Sequence, residues 1–330
     1  MDAYIDLANF CSYLKSQSNQ LFRDCNKALK QGFNLKFTFD QSELDRVDKK
    51  TRRCYEIWES DISSGRNGHK ITWNEKRPTA EQIFADSWDA ADNTSHANLL
   101  MSLYMIDVNE EERTKYGNLL VAKPGEELSA MLALRINGAF KDIYPMDTDE
   151  LNDWSIFSAE VHNCTDIIIS DQHLFWVSED VYKENVCEIL KETLAGATGT
   201  KVNVVFFAFG TDRDNPVLYN TVIRNIKTCL TNCGFPDANV TYVLLPRHEE
   251  HDRSMVTNYK TFTPHFSFNL FENGTKRTAG RYFEVRSHAD TKVFKMATQL
   301  ISDLQAVVDL RKNQPGGIEG DRKSNLLNFG

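Results

Sequence analysis

Lys201-Val202-Asn203-Val204-Val205-Phe206-Phe207-Ala208-Phe209-Gly210 is the stretch that decides the fold. A β-branched and aromatic run closed by glycine reads as a strand. The neighbouring segments repeat the form. Upstream, Asp166 to Ser170 reads as a strand and Glu179 to Leu194 as a helix. Downstream, Asn215 to Cys233 reads as a helix stopped by Gly234, and Val240 to Leu245 as a further strand. Strands alternating with helices imply an α/β architecture, a largely parallel sheet with helices on its faces. In such sheets ligands sit beyond the carboxyl ends of the strands. Three of those ends carry polar residues: Asp171, Gln172 and His173; then Gly210, Thr211, Asp212 and Arg213; then Arg247, His248, His251, Asp252 and Arg253.

Beyond Leu245 the rhythm shortens. Phe266 to Phe271 and Tyr282 to Ser287, separated by Glu272-Asn273-Gly274, predict a hairpin-like pair that makes the sheet mixed. A last helix over Thr291 to Arg311, N-capped by Asp290, turns Val293, Ala297, Leu300, Ile301, Leu304 and Val308 inward. Gln314 to Gly330 contains Pro315-Gly316-Gly317 and several charges, which predicts a mobile tail.

The N-terminal half is less regular. Leu7, Phe10, Leu14, Leu21, Phe22 and Leu29 recur at helical spacing, so Asp2 to Gln31 reads as one amphipathic helix ended by Gly32. Phe33 to Phe39 alternates as a half-buried strand, Gln41 to Ser60 reads as a helix, and His69 to Trp73 as a short strand. A helix over Thr79 to Asp92, an apolar run of undecided type from Ala97 to Asp107, a strand over Leu119 to Ala122 and a helical start at Glu126 precede a polar connector at Pro145 to Glu150. The expected organisation is an α+β domain over 1–150, an α/β domain over 151–312 and a tail over 313–330.

The 330 residues carry a net charge of −9, which argues against bulk binding of nucleic acid or acidic membrane. No apolar run approaches the roughly 18 residues of a membrane helix, and the acidic start lacks a signal-peptide pattern, so a cytoplasmic protein without a transmembrane segment is expected. Seven cysteines, with no C-x-x-C pair, form neither a zinc nor a disulfide signature. Cys229 and Cys233 stand one helical turn apart with no nearby His to complete a site. His248-Glu249-Glu250-His251-Asp252 has metal-ligand residue types, but its context reads as a loop. No metal or cofactor is assigned.

His251, Arg253, Asn258 and Ser267-Phe268-Asn269 resemble the motif of the phospholipase D superfamily, in which His, Lys and Asp at fixed spacing precede a strand bearing a small residue and an Asn. Arg253 stands at the Lys position and Asn258 at the Asp position. His-Asp-Arg after an apolar strand is also similar to the phospholipase D-like domain of MIT-domain proteins and of bacterial proteins linked to antiviral conflict. The similarity spans Asn152 to Arg311.

The resemblance implies His251 as nucleophile, with Arg253 and Asn269 gripping phosphate. It also implies a second His, which would come from a diverged N-terminal half or from the other subunit of a homodimer. Asp171, His173, His248, Asp252, Asn258 and Ser267 are further candidates for ligand contact. Arg can still bind phosphate, and its planar fork suits the anion. Asn258 cannot supply the negative charge that stabilises a catalytic imidazolium. The leading expectation is therefore a phosphate-ligand-binding adaptor or sensor with a degenerate site, set by the resemblance in a bacterial antiviral defence system. The rival is a phosphodiesterase or nuclease. Asp171 with His173 could act as acid and base, or cap the turn before Glu179.

Overall fold

The computed structural model describes residues 2–63, 71–76, 102–106, 119–121, 124–128, 141–145, 151–160, 164, 166–195, 201–210, 219–245, 253–277, 282–288 and 290–330. Over these the chain is α/β and contains a large mixed sheet.

The N-terminal part begins differently from the single helix expected over Asp2 to Gln31. Asp2–Ile5 is a strand, β1, followed by helices α1 (Leu7–Lys15) and α2 (Gln20–Gly32). Ala3 and Ile5 are buried because β1 is hydrogen-bonded on both sides, and tertiary pairing outweighs helical spacing there. Asp6 stops the strand and N-caps α1, accepting the Asn9 amide at 2.8 Å. Strand β2 (Asn34–Phe37), a 3₁₀ turn (Gln41–Arg46), α3 (Lys49–Ser63), β3 (Ile71–Thr72), β4 (Ser102–Met105) and β5 (Leu119–Val121) follow. All four pairings are parallel, in the order β3-β2-β1-β4-β5. This is a parallel α/β sheet where α+β was expected. Trp58 packs edge to face against Phe10 and Phe37 at its core, and the two Phe rings are tilted against each other. The order reverses between β1 and β4, where doubly wound sheets bind ligands. The first turn there, Ile5-Asp6-Leu7, lacks the glycines of a phosphate loop. The helix expected over Thr79 to Asp92 lies outside the described residues.

The second sheet has the order β15-β9-β8-β7-β10-β11-β14-β6. Its strands are β6 (Lys141–Pro145), β7 (Asp166–Ser170), β8 (Asn203–Ala208), β9 (Asn239–Leu244), β10 (Ser254–Thr257), β11 (Lys260–Pro264), β14 (Tyr282–Ser287) and β15 (Ile318–Gly320). Strands β7, β8 and β9 are mutually parallel; β10, β11, β14 and β6 extend the sheet antiparallel. Strand β6, ahead of residue 150, pairs with β14 in this sheet.

Ile167, Ile169, Val204, Phe206, Val240 and Tyr242 point to one face. There α4 packs, running from Glu179–Tyr182 through a π-helical segment Lys183–Cys187 into Glu188–Leu194, together with α5 (Tyr219–Asn232). Ile168, Val205, Phe207, Val243 and Val256 point to the other face, covered by α6 (Thr291–Arg311). The sheet is thus the middle layer of three. Asp290 caps α6 as its sequence predicts, accepting the Lys292 amide at 2.7 Å.

Two features depart from the sequence-based expectation. The tail is docked: β15 pairs with the edge strand β9, Leu326 and Leu327 are buried beside α6, and Asp166 accepts bonds from Ser324 Oγ, the Asn325 amide and Asn325 Nδ2 at 2.7–2.8 Å. Its apolar residues found an uncovered sheet edge, so composition was a poor guide. Second, Phe266 to Leu270 is irregular. The hairpin lies instead at β12 (Phe271–Glu272) and β13 (Thr275–Lys276), around Asn273 and Gly274 with φ of 53° and 70°. Tyr259, in the β10–β11 turn, is buried in the core of the N-terminal sheet. No helix among the described residues is long and apolar enough to cross a membrane.

Candidate functional site

The antiparallel addition of β10 and β11 to β7 determines what meets at the functional edge. Ser254 pairs with Ser170, so Arg253, just ahead of β10, lies beside the carboxyl end of β7. Strand β11 runs back to the same end, and its following loop delivers His265, Phe266, Ser267 and Asn269 there. That loop is anchored from α4. Asn185 in the π-helical segment accepts the Leu270 and Phe271 amides at 3.0 and 2.9 Å and donates to the Phe271 carbonyl at 2.8 Å. Glu184 accepts the Asn273 and Gly274 amides. A π turn offsets the helix register by one residue, which lets adjacent positions 184 and 185 serve one loop.

Asp171 is the centre of the edge. Its carboxylate, 1 % exposed, accepts Ser267 Oγ at 2.6 Å, the Phe268 amide at 3.1 Å and the His173 amide at 3.1 Å. Arg253 Nε approaches the same carboxylate at 3.6 Å, an ion pair longer than a hydrogen bond. The Arg253 guanidinium carbon stands 5.6 Å from the Phe266 ring centroid, and a quarter of its side chain stays exposed. Asp171 therefore fixes the loop and orients the cation, with Phe266 supporting it from the side.

Asn269 does not grip alongside Arg253 as the sequence suggests. Its Nδ2 donates to the Leu174 carbonyl at 2.9 Å and its backbone amide to Ser267 Oγ at 3.1 Å. Asn258 is at the other end of β10, where its Oδ1 accepts the Asp166 amide at 3.0 Å. One strand of four residues separates it from Arg253, so it braces the amino end of β7 and has no part in the edge. His173 packs its ring against Trp176 and Phe209, with centroids at 4.4 and 5.5 Å. Gly210 is explained by packing: a Cβ there would lie 1.8 Å from Tyr219 Oη. His248, His251 and Asp252 lie outside the described residues, as do Thr211 to Arg213.

Beside Arg253 a groove of about 740 Å³ opens between the sheet and α6, within the usual size range of small-molecule sites. Its sheet wall is a set of polar residues the sequence reading missed. Ser170 pairs with Ser254, Thr263 with Glu284, and continuing the β10–β11 register sets Ser254 opposite Thr263. Cross-strand partners share a face, so Ser170, Ser254, Thr263 and Glu284 form one polar row across four strands, the last three of them lining the groove. The hydroxyls of Ser170 and Ser254 are buried and have no hydrogen-bond partner among the described residues. Arg286 borders the row and ion-pairs with Glu284. His265 and Tyr282 stand at the mouth with ring centroids 5.2 Å apart, and Val293, Met296, Leu300 and Asp303 of α6 form the far wall.

The signal for this row was the two-residue alternation Thr261, Thr263 against Phe262, and Tyr282, Glu284, Arg286 against Phe283, Val285. It reads as a solvent face, yet a helix covers it. Hydroxyls, an oriented arginine and carboxylates around one groove can hold a polar ligand bearing an anionic group. Among the described residues no group of three or more His, Cys, Asp or Glu is placed to hold a metal ion. No protein-family model and no curated protein matches the chain.

Proposed function

We propose that this protein is a binding protein that holds a phosphate-bearing small ligand in the groove between α6 and the strands β10, β11 and β14. The observation that carries this reading is Arg253: a guanidinium held by Asp171 and Phe266 at the mouth of a groove lined by Ser254, whose buried hydroxyl has no hydrogen-bond partner among the described residues. A buried hydroxyl without a partner costs about 1–3 kcal/mol, and a ligand oxygen in the groove would recover it. Orienting a planar cation before the ligand arrives lowers the entropy lost on binding.

Binding is favoured over hydrolysis by where the amides go. Asn269 donates its side-chain N–H to a backbone carbonyl, and Asn258 braces the opposite end of the sheet. Two residues that the phospholipase D resemblance would place around the phosphate are thereby committed elsewhere. In this reading the chain is a phospholipase D-like adaptor or sensor, and the resemblance sets it in bacterial defence.

The test is thermal unfolding in inorganic phosphate against chloride at matched ionic strength. A ligand that binds only the folded protein raises the midpoint with concentration. Phosphate is expected to raise it for the wild type and not for Arg253→Gln. A midpoint that responds equally to both salts, or an Arg253→Gln variant that responds like wild type, would overturn the proposal.

A further inference from the structure

We infer that the ligand is a mononucleotide, whose base enters between Tyr282 and Met296 while its phosphate meets Arg253. The inference rests on the phosphate reading above and adds what the rest of the groove selects.

Three independent features of the lining point the same way. The first is the aromatic mouth. Tyr282 is 40 % exposed although it opens a strand, its ring lies against His265, and Met296, 55 % exposed, faces the groove from α6. Exposed aromatic rings beside an oriented arginine are the surface on which a heterocycle stacks, and stacking is indifferent to which base is offered. A phosphosugar or free phosphate would leave these rings unused.

The second is the polar row. From Ser254 across Thr263 to Glu284 is two interstrand spacings, roughly 10 Å, and Tyr282 stands two residues, about 7 Å, along β14 from Glu284. Arg253 and Tyr282 both stand at the mouth, and Ser254, Thr263 and Glu284 lie one to two residues further in, on the floor beneath the span from one to the other, where a nucleotide bridging them sets its ribose. Glu284 Oε accepts from hydroxyl donors, and the Ser254 hydroxyl, without a hydrogen-bond partner among the described residues, can give or take a hydrogen bond.

The third is charge. Arg253 and Arg286 share the lining with Glu284 and Asp303, so its cations and carboxylates balance. A strand of nucleic acid, with a phosphate at every residue, would meet as much repulsion as attraction, whereas one phosphate group needs one oriented arginine. With the net charge of −9 this selects a single nucleotide over a polymer.

Isothermal titration of the full chain with inorganic phosphate, adenosine and adenosine 5′-monophosphate distinguishes the two readings. The nucleotide is expected to bind at least about tenfold more tightly than either fragment, the gain that stacking on one ring supplies. Tyr282→Ala, at an exposed position, should remove most of that gain and leave phosphate binding unchanged, while Arg253→Gln weakens both. Nucleotide binding no tighter than phosphate, or a Tyr282→Ala variant that keeps the full gain, refutes the nucleotide and leaves the phosphate reading standing. Absence of binding by all three probes refutes both.

Discussion

Replacing Asp171 by alanine should cost stability far more than a residue at a sheet edge ordinarily does. The carboxylate is buried and accepts three hydrogen bonds, from Ser267 Oγ and from the Phe268 and His173 amides. The hydroxyl can turn to another acceptor, but the two backbone N–H groups cannot. Each buried donor left unsatisfied costs about 1–3 kcal/mol, so the amides alone set a loss of about 2–6 kcal/mol. A water entering the space would return part of this, since the site is polar on several sides. Arg253 adds little to the sum: a quarter of its side chain is exposed, and it can rehydrate when its counter-charge goes. About 2–4 kcal/mol is the expected net loss, a sizeable share of an ordinary domain's stability. Urea unfolding followed by tryptophan fluorescence measures it, because Trp154 is buried in the same core cluster as Phe268. The midpoint should fall with the slope unchanged. A loss under about 0.5 kcal/mol, the value of an ordinary surface substitution, would mean that the loop is held by something other than this carboxylate.

Two further outcomes follow from groups outside the groove. Leu326→Ala should cost about 2–5 kcal/mol in the same urea experiment, as a fully buried leucine does; a change within about 0.5 kcal/mol would show the tail undocked in solution. His288 should make stability depend on pH: its Nδ1 donates to the Asn258 carbonyl at 3.2 Å, its Nε2 accepts from Thr261 Oγ1 at 2.9 Å, and burial lowers its pKa from 6.5 to about 4. With the folded pKa depressed, the unfolded chain takes up the proton first as pH falls. The stabilisation is therefore full above about pH 6.5 and is lost as pH falls towards 4, by up to about 3 kcal/mol. Urea midpoints at pH 7, 5.5 and 4.5 should fall more steeply for wild type than for His288→Asn, and parallel slopes would remove His288 as the cause.

What could be read from the chain and what could not divide along one physical line. Asp166 to Ser170, Glu179 to Leu194 and Thr291 to Arg311 were legible because burial on a known period is written locally, in the residues themselves. Strand β1 was not: Ala3 and Ile5 fit a helix equally well, and only pairing to β2 and β4 decides them. The site divides in the same way. That Asp171 and Arg253 stand at one edge of the sheet was legible because strand ends are predictable once the α/β rhythm is seen. Asn258 and Asn269 were misplaced because a motif's spacing along the chain does not say which end of a strand a side chain serves. Asn258 follows β10 and Arg253 precedes it, so four residues of antiparallel strand carry them to opposite edges. The polar row failed to register for the opposite reason. Thr263, Glu284 and Arg286 alternate as a solvent face should, and nothing local reveals that α6 crosses above them. A polar strand face beneath an amphipathic helix forgoes the apolar contact that the helix would otherwise make. The chain retains this arrangement on one half of the sheet only: under the same helix, Ile168, Val205 and Val256 are apolar and close-packed. That asymmetry between two halves of one interface is why a groove opens beside Arg253.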